Sequence, residues 1–137
     1  MSRLDLKNNI GAVISLPAAN RSDPAVPVNG TGVDLTGYDG ALVIIHAGTI
    51  GGTVNPSQTF EVQESDDNAS FTPVADGDLD GTEPTVAAAN DEQLHIIGYK
   101  GIKRYIRVSV TAKAGTTPAL VSDAIVLRNR GRKLPLS

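Results

Sequence analysis

A chain of 137 residues without cysteine is expected to form one domain, with neither disulfides nor thiolate metal sites. Its formal net charge of −3 hides a segregation along the chain: residues 61–92 hold ten acidic residues and no Lys or Arg, whereas residues 93–137 hold nine basic residues and one acidic residue. Opposed segments of this kind are typical of a protein that docks on another surface rather than of an enzyme.

Short strands separated by turn signals are predicted in the first part of the chain. Residues 10–16 form a strand that ends at Pro17, because proline cannot donate to a strand ladder. Residues 18–31 are predicted to be a long loop or an edge strand broken by proline, and residues 32–35 a short strand. The continuous apolar run 41–47 predicts a central strand that is covered on both faces.

The second part of the chain continues the same pattern, with apolar and polar residues alternating along each strand and an acidic loop over residues 76–90. The strands predicted here are 59–64, 71–74, 93–97, 104–111 and 119–127. About eight strands without a convincing helix predict an all-β fold, an antiparallel jelly-roll or Greek-key β-sandwich with extended terminal arms. Residues 1–127 form the single sandwich domain, and residues 128–137 form a basic C-terminal arm.

The acidic loop contains the sharpest local motif. Asp76, Asp78 and Asp80, followed by a glycine, have the spacing at which a calcium-binding loop begins. The twelfth position of such a loop supplies a bidentate Glu, and here it is Ala87. The three aspartates are therefore a weak candidate for a metal site, and a solvated acidic turn is the favoured interpretation.

No sequence motif for catalysis is present. His46 and His95 lie in apolar strands, where a packed histidine is commoner than a metal ligand. Glu61 and Glu64 are three positions apart in one predicted strand, so they point to opposite faces and do not form a carboxylate pair. We therefore expect no enzymatic activity and no cofactor.

The basic arm is the first candidate for a protein interface, and the strand over residues 104–111 is the second. Without aromatic residues to stack on bases, and with an acidic remainder that repels phosphate, the arm is not expected to bind nucleic acid. An acidic neighbouring protein is the expected partner, with the apolar tip as an anchor. The predicted interface residues are Arg104, Arg107, Arg128, Arg130, Arg132, Lys133, Leu134 and Leu136.

Several segments resemble small virion proteins of tailed bacteriophages. They are residues 30–48 (GTGVDLTGYDGALVIIHAG), residues 63–67 and 71–74 (QESDD and FTPV), and residues 98–108 (GYKGIKRYIRV). The nearest type is the jelly-roll cement (decoration) protein of Bordetella-phage-like capsids. The resemblance implies a structural protein on the capsid exterior that cements neighbouring major capsid protein subunits, as a homodimer or other homo-oligomer, after assembly in the host cytoplasm. It implies no site residues.

Two alternatives stay open. The first is another virion component, such as a neck, tail or head-spike base protein. The second is a calcium-dependent carbohydrate-binding β-sandwich that uses residues 76–81. The low aromatic content weighs against sugar binding, which favours exposed stacking rings. No membrane partner is expected, because no apolar run approaches the ~20 residues of a membrane helix and the N-terminus lacks the apolar region of a signal peptide.

Overall fold

The computed structural model of the chain describes residues 6–129. It has nine strands, all paired antiparallel, with a four-residue helix α1 (Leu6–Asn9) before them and a 3-10 turn at Asp76–Asp78. The strands are β1 (Ile10–Ser22), β2 (Val28–Asn29), β3 (Val33–Asp34), β4 (Gly40–Ser65), β5 (Thr72–Pro73), β6 (Leu79–Asp80), β7 (Thr85–Val86), β8 (Gln93–Tyr99) and β9 (Tyr105–Asn129). The predicted all-β antiparallel fold is confirmed.

Two very long strands, β4 with 26 residues and β9 with 25, pair with one another along their whole length. Each had been expected as two separate strands. Register shifts lie between Ala47 and Phe60, in the segment that was expected to be a loop. Such bulges bend a strand pair without ending it, so the pairing of β4 with β9 continues through this segment. The paired strands β4 and β9 therefore form a bent ribbon, and the parts on either side of the bend belong to different halves of the molecule.

The two halves of the ribbon recruit different neighbours. The first half has the strand order β1-β9-β4-β8-β6. In the second half, β2 and β3 pair with the beginning of β9, while β5 and β7 pair with the end of β4. One shared core lies between the halves, which makes the fold a β-sandwich. Its largest fully buried side chains are Phe60, Leu16, Ile45, Ile97, Ile106 and Leu120.

The prediction that the first strand ends at Pro17 is wrong, because β1 continues to Ser22. Register shifts between Ile14 and Leu16 and between Leu16 and Ala19 place the proline at an irregularity of an edge strand. A proline there removes no ladder hydrogen bond. For residues 18–22 the edge-strand alternative therefore holds.

Because the ribbon folds back on itself, both of its free ends lie at one end of the sandwich. Gly40 pairs with Asn129 at one free end, and Ser65 pairs with Tyr105 at the other. We refer to this end, formed by residues 35–41, 65–66 and 99–105, as the arm end, because the predicted basic arm follows from it. Arg128 and Asn129 belong to β9, so the strand extends two residues beyond the boundary predicted for the domain.

Candidate docking surfaces

Acidic and basic residues that are far apart in the sequence lie side by side in the fold. In each of three salt bridges, a cation from the basic part of the chain meets an aspartate from an earlier segment. The pairs are Lys103 with Asp66 at 2.7 Å, Arg104 with Asp34 at 2.9 Å, and Lys113 with Asp23 at 2.7 Å. The segregation of charge along the chain is therefore not a separation into two poles of the described molecule.

Arg104, a predicted interface residue, forms a two-pronged contact with Asp34. Its Nε and Nη2 donate to the two carboxylate oxygens at 3.1 and 2.9 Å, and its guanidinium lies 5.0 Å from the centre of the Tyr105 ring. The hydrogen bond from Arg104, followed by one from the Thr36 amide, holds the pKa of Asp34 well below its usual range. Arg104, directly before β9, thus ties this point of the chain to β3.

Arg107 and Arg128 are also held by their own chain. Arg107 lies 4.0 Å from the centre of the Phe71 ring and donates through Nε to Gln63, and desolvation lowers the pKa of its guanidinium. Arg128 lies 4.4 Å from the centre of the Tyr38 ring and donates to backbone oxygens of Gly11 and Asp34. An interface role for these arginines stays a prediction. The other predicted residues (Arg130, Arg132, Lys133, Leu134 and Leu136) lie outside the described residues.

The acidic loop does not bring its three aspartates together as ligands. Asp76 and Asp78 belong to the 3-10 turn, whereas Asp80 lies in β6 opposite Gly98. Leu79, which precedes Asp80 in β6, is buried. Because successive side chains of a strand point to opposite faces, Asp80 points away from the core. Within residues 6–129, no group of three His, Asp or Glu side chains is placed to hold a metal ion.

At the arm end, the loop from β8 to β9 is wrapped around Tyr99. The Tyr99 hydroxyl donates to Glu64 at 2.7 Å and accepts the Lys103 amide at 3.1 Å. Burial and the hydrogen bond to Glu64 raise the pKa of Tyr99 well above its usual range. A side chain at Gly101 would collide with the tyrosine ring, so this position requires glycine.

The fixed loop presents an isoleucine to solvent. Ile102 is 96% exposed, and Lys100 beside it is also exposed. Between this loop and residues 35–41 lies an open cavity of about 480 Å³, lined on its apolar side by Leu35, Tyr38 and Ala41. The arm end therefore combines a protruding apolar side chain, a neighbouring cation and an adjacent cavity.

A second surface lies on the outside of the first half of the sandwich, on the face turned away from the core. Its central row has one isoleucine on each of four adjacent strands: Ile14 faces Ile125, Ile125 faces Ile44, and Ile44 faces Ile96. The row on one side of it holds Ala12, Leu127 and Leu42, and the row on the other side holds Asp123, His46 and Leu94. The apolar members of this outer face are Ala12, Ile14, Leu42, Ile44, Leu94, Ile96, Val121, Ile125 and Leu127.

The outer face is solvent-exposed to an unusual extent for such side chains. Ile14, Leu94, Ile96 and Val121 are 53–57% exposed. The ionisable groups on its two middle strands are His46 and Asp123, which lie opposite one another, with 3.0 Å between Nδ1 and Oδ1. A contiguous apolar patch of this kind marks an interaction surface more often than free solvent-facing structure.

Sequence reasoning missed the outer face, although a signal for it was present. In residues 41–47 and 119–127, apolar residues occupy consecutive positions, while a core on one side needs only every second one. The excess forms the outer face. Ile102 is an isolated apolar residue in a basic turn, and its exposure could not be read from the sequence.

No protein-family profile matches the chain, and no curated protein matches it. In the part of the chain that the structure describes, no helix has both the length and the apolar character needed to cross a bilayer. The resemblance to phage cement proteins accordingly stays a prediction from the sequence.

Proposed function

We propose that the chain is a structural virion protein that binds the outer surface of a bacteriophage capsid and cements neighbouring major capsid protein subunits. The resemblance of residues 30–48, 63–67, 71–74 and 98–108 supports the class of protein. The observation that carries the docking role is the arm end, where Ile102 protrudes from a fixed loop next to the start of the basic arm.

The arm end suits an attachment made of several weak contacts. Burying Ile102 in an apolar socket contributes about 1.5–3 kcal/mol. The cations of residues 130–137 add an electrostatic contact to an acidic capsid surface, and linked contacts multiply their affinities because the second is made within an already formed complex. The proposal places the protein on the capsid exterior, assigns no catalytic step, and uses neither nucleic acid nor a membrane as a partner.

The test is co-sedimentation of the full chain with purified expanded heads. We expect Ile102→Ser to weaken head binding roughly 10- to 100-fold, because the anchor is lost. Val54→Ser is the matched control, since Val54 is an exposed apolar residue in the bent part of the ribbon, away from the arm end. Val54→Ser is expected to bind heads like the parent chain.

The arm is tested with a variant that keeps its length. Changing Arg130, Arg132 and Lys133 to Gln is expected to weaken head binding at low salt and to remove most of its salt dependence. Undiminished binding by both this variant and Ile102→Ser would refute the arm end as the docking site. Sedimentation with isolated tails but not with heads would instead favour a neck, tail or spike-base role.

A further inference from the structure

We propose that the outer face binds the outer face of a second copy of this chain, giving a two-fold symmetric dimer held by the isoleucine row. The resemblance implies a homo-oligomer without assigning its surface; the proposal goes beyond it by assigning the surface and the orientation of the two copies, and it concerns the free protein. It also differs from pairing through the edge strand β1, since two sheet faces would stack rather than extend one sheet.

The charges on the outer face favour a copy of itself over other occupants. The ionisable groups on its two middle strands, His46 and Asp123, are already paired, and Asp80 lies only at the rim, opposite Gly98. A face of this kind offers little attraction to a strongly charged partner. In particular, the chain's own arm would bring Arg130, Arg132 and Lys133 onto a surface with almost no free acceptor.

The strand order makes the face complementary to itself. A two-fold axis that runs along the strands between β9 and β4 stacks β9 of one copy on β4 of the other, and β1 on β8. The isoleucine row then meets itself, with Ile14 over Ile96 and Ile125 over Ile44 of the second copy. Stacked sheets of this kind lie about 10 Å apart, with strands aligned to within about 30°.

The same operation also satisfies the polar end of the face. His46 is on β4 and Asp123 is its neighbour on β9, so stacking β9 on β4 brings His46 of each copy toward Asp123 of the other. The two histidines and the two aspartates then alternate in one small polar cluster. A two-fold axis perpendicular to the strands would place this cluster against Leu42 and Leu127, which offer it no polar partner on the second copy.

The size of the face fits the centre of a stable interface. Four strands at about 4.8 Å spacing and seven residues at about 3.3 Å per residue cover roughly 19 by 23 Å, on the order of 400 Å² in projection. A stable complex buries about 800 Å² per partner, of which the apolar core is a part and a polar rim the remainder. The face thus supplies about half of that area, as the apolar core of the interface.

The test compares two isoleucine variants of the full chain by sedimentation velocity, without heads. The parent chain is expected to sediment as a dimer of about twice the 14.2 kDa chain mass. Ile96→Lys places a charge in the row of each copy, so we expect the dimer dissociation constant to rise at least about 100-fold. Ile102→Lys introduces the same charge at an exposed isoleucine outside the face and is expected to leave the dimer unchanged.

Three results would overturn the proposal. They are a parent chain that stays monomeric up to about 100 µM, a dimer that Ile96→Lys leaves intact, and a dimer that Ile102→Lys dissociates. If Ile96→Lys fails to fold by circular dichroism, Ile14→Lys on the edge strand replaces it with the same expectation. A monomeric parent chain that dimerises once residues 130–137 are removed would identify the arm as the occupant. Because heads are absent, the result is independent of capsid binding.

Discussion

The two faces of one strand segment, residues 41–47 of β4, have opposite fates. Val43, Ile45 and Ala47 are completely buried between the halves of the sandwich. Leu42 and Ile44 are only half-buried and His46 is exposed, although the segment is apolar almost throughout. The sequence predicted cover on both faces, and the described fold supplies it on one. The difference teaches that the chain has apolar surface in excess of what its own core uses.

The largest expected effect comes from truncating neighbouring isoleucines on the two faces. Ile45→Ala leaves a cavity in the packed core and is expected to lower the free energy of unfolding by about 2–5 kcal/mol. Ile44→Ala, one residue away, is expected to cost less than about 1.5 kcal/mol in the monomer, because its side chain is only half-buried. Urea unfolding at high dilution measures both. Equal costs would mean that the two faces are equally covered within one chain.

A smaller effect is expected from the hydroxyl of Tyr99, the buried polar group that fixes the arm end. Tyr99→Phe leaves the Lys103 amide and the Glu64 carboxylate without this partner, so we expect a loss of about 1–2 kcal/mol in unfolding free energy. Tyr105→Phe, on the next strand along the chain, is the matched control and is expected to stay within about 0.5 kcal/mol. A neutral Tyr99→Phe would show that the loop carrying Ile102 is not held by this hydroxyl.

The smallest effect concerns an exposed turn and depends on pH. Amides of Ser70 and Ala69, followed by the Ser65 hydroxyl, lower the pKa of Asp67 to about 2. Because an unfolded Asp titrates near about 3.9, the stabilisation is complete above that pH and is lost as pH falls toward 2.

The corresponding measurement is the melting temperature of Asp67→Asn between pH 6 and pH 2. We expect the variant to melt below the parent chain at pH 6, and the gap to close as pH falls. Asp76→Asn, another exposed aspartate, serves as the control and is expected to show a smaller gap at pH 6. A gap that widens toward pH 2 would have the wrong sign for a lowered pKa.

The class of fold could be predicted because its signals are local. Alternation over residues 59–64 and 104–111 identifies strands, and the Ser65 and Asp67 side chains bond the backbone of the turn that follows, as their residue types suggest. The central position of residues 41–47 also follows from its apolar run, and the structure pairs it on both edges, with β8 and with β9. Whether its second face is covered depends on a partner that local sequence does not specify.

The continuity of β4 and β9 could not be predicted. Residues 48–57 have the Gly, Asn and Pro content of a loop, and Gly52, Val54 and Asn55 indeed adopt positive φ angles. The ladder nevertheless continues through them, because β9 follows the same bend from the opposite side. The salt bridges could not be predicted from the sequence either, because pairing Arg104 with Asp34 requires knowing that β3 lies next to β9.

The central claim is that the outer face is covered by protein in solution. Isoleucine methyl NMR with a soluble paramagnetic agent tests it directly, because the chain contains its own references: Ile45 is fully buried and Ile102 is 96% exposed. At high protein concentration, the account predicts that the Ile14 and Ile96 methyl signals are protected like Ile45, and that they become accessible on dilution. Broadening of Ile14 and Ile96 to the same degree as Ile102 at every concentration would contradict it.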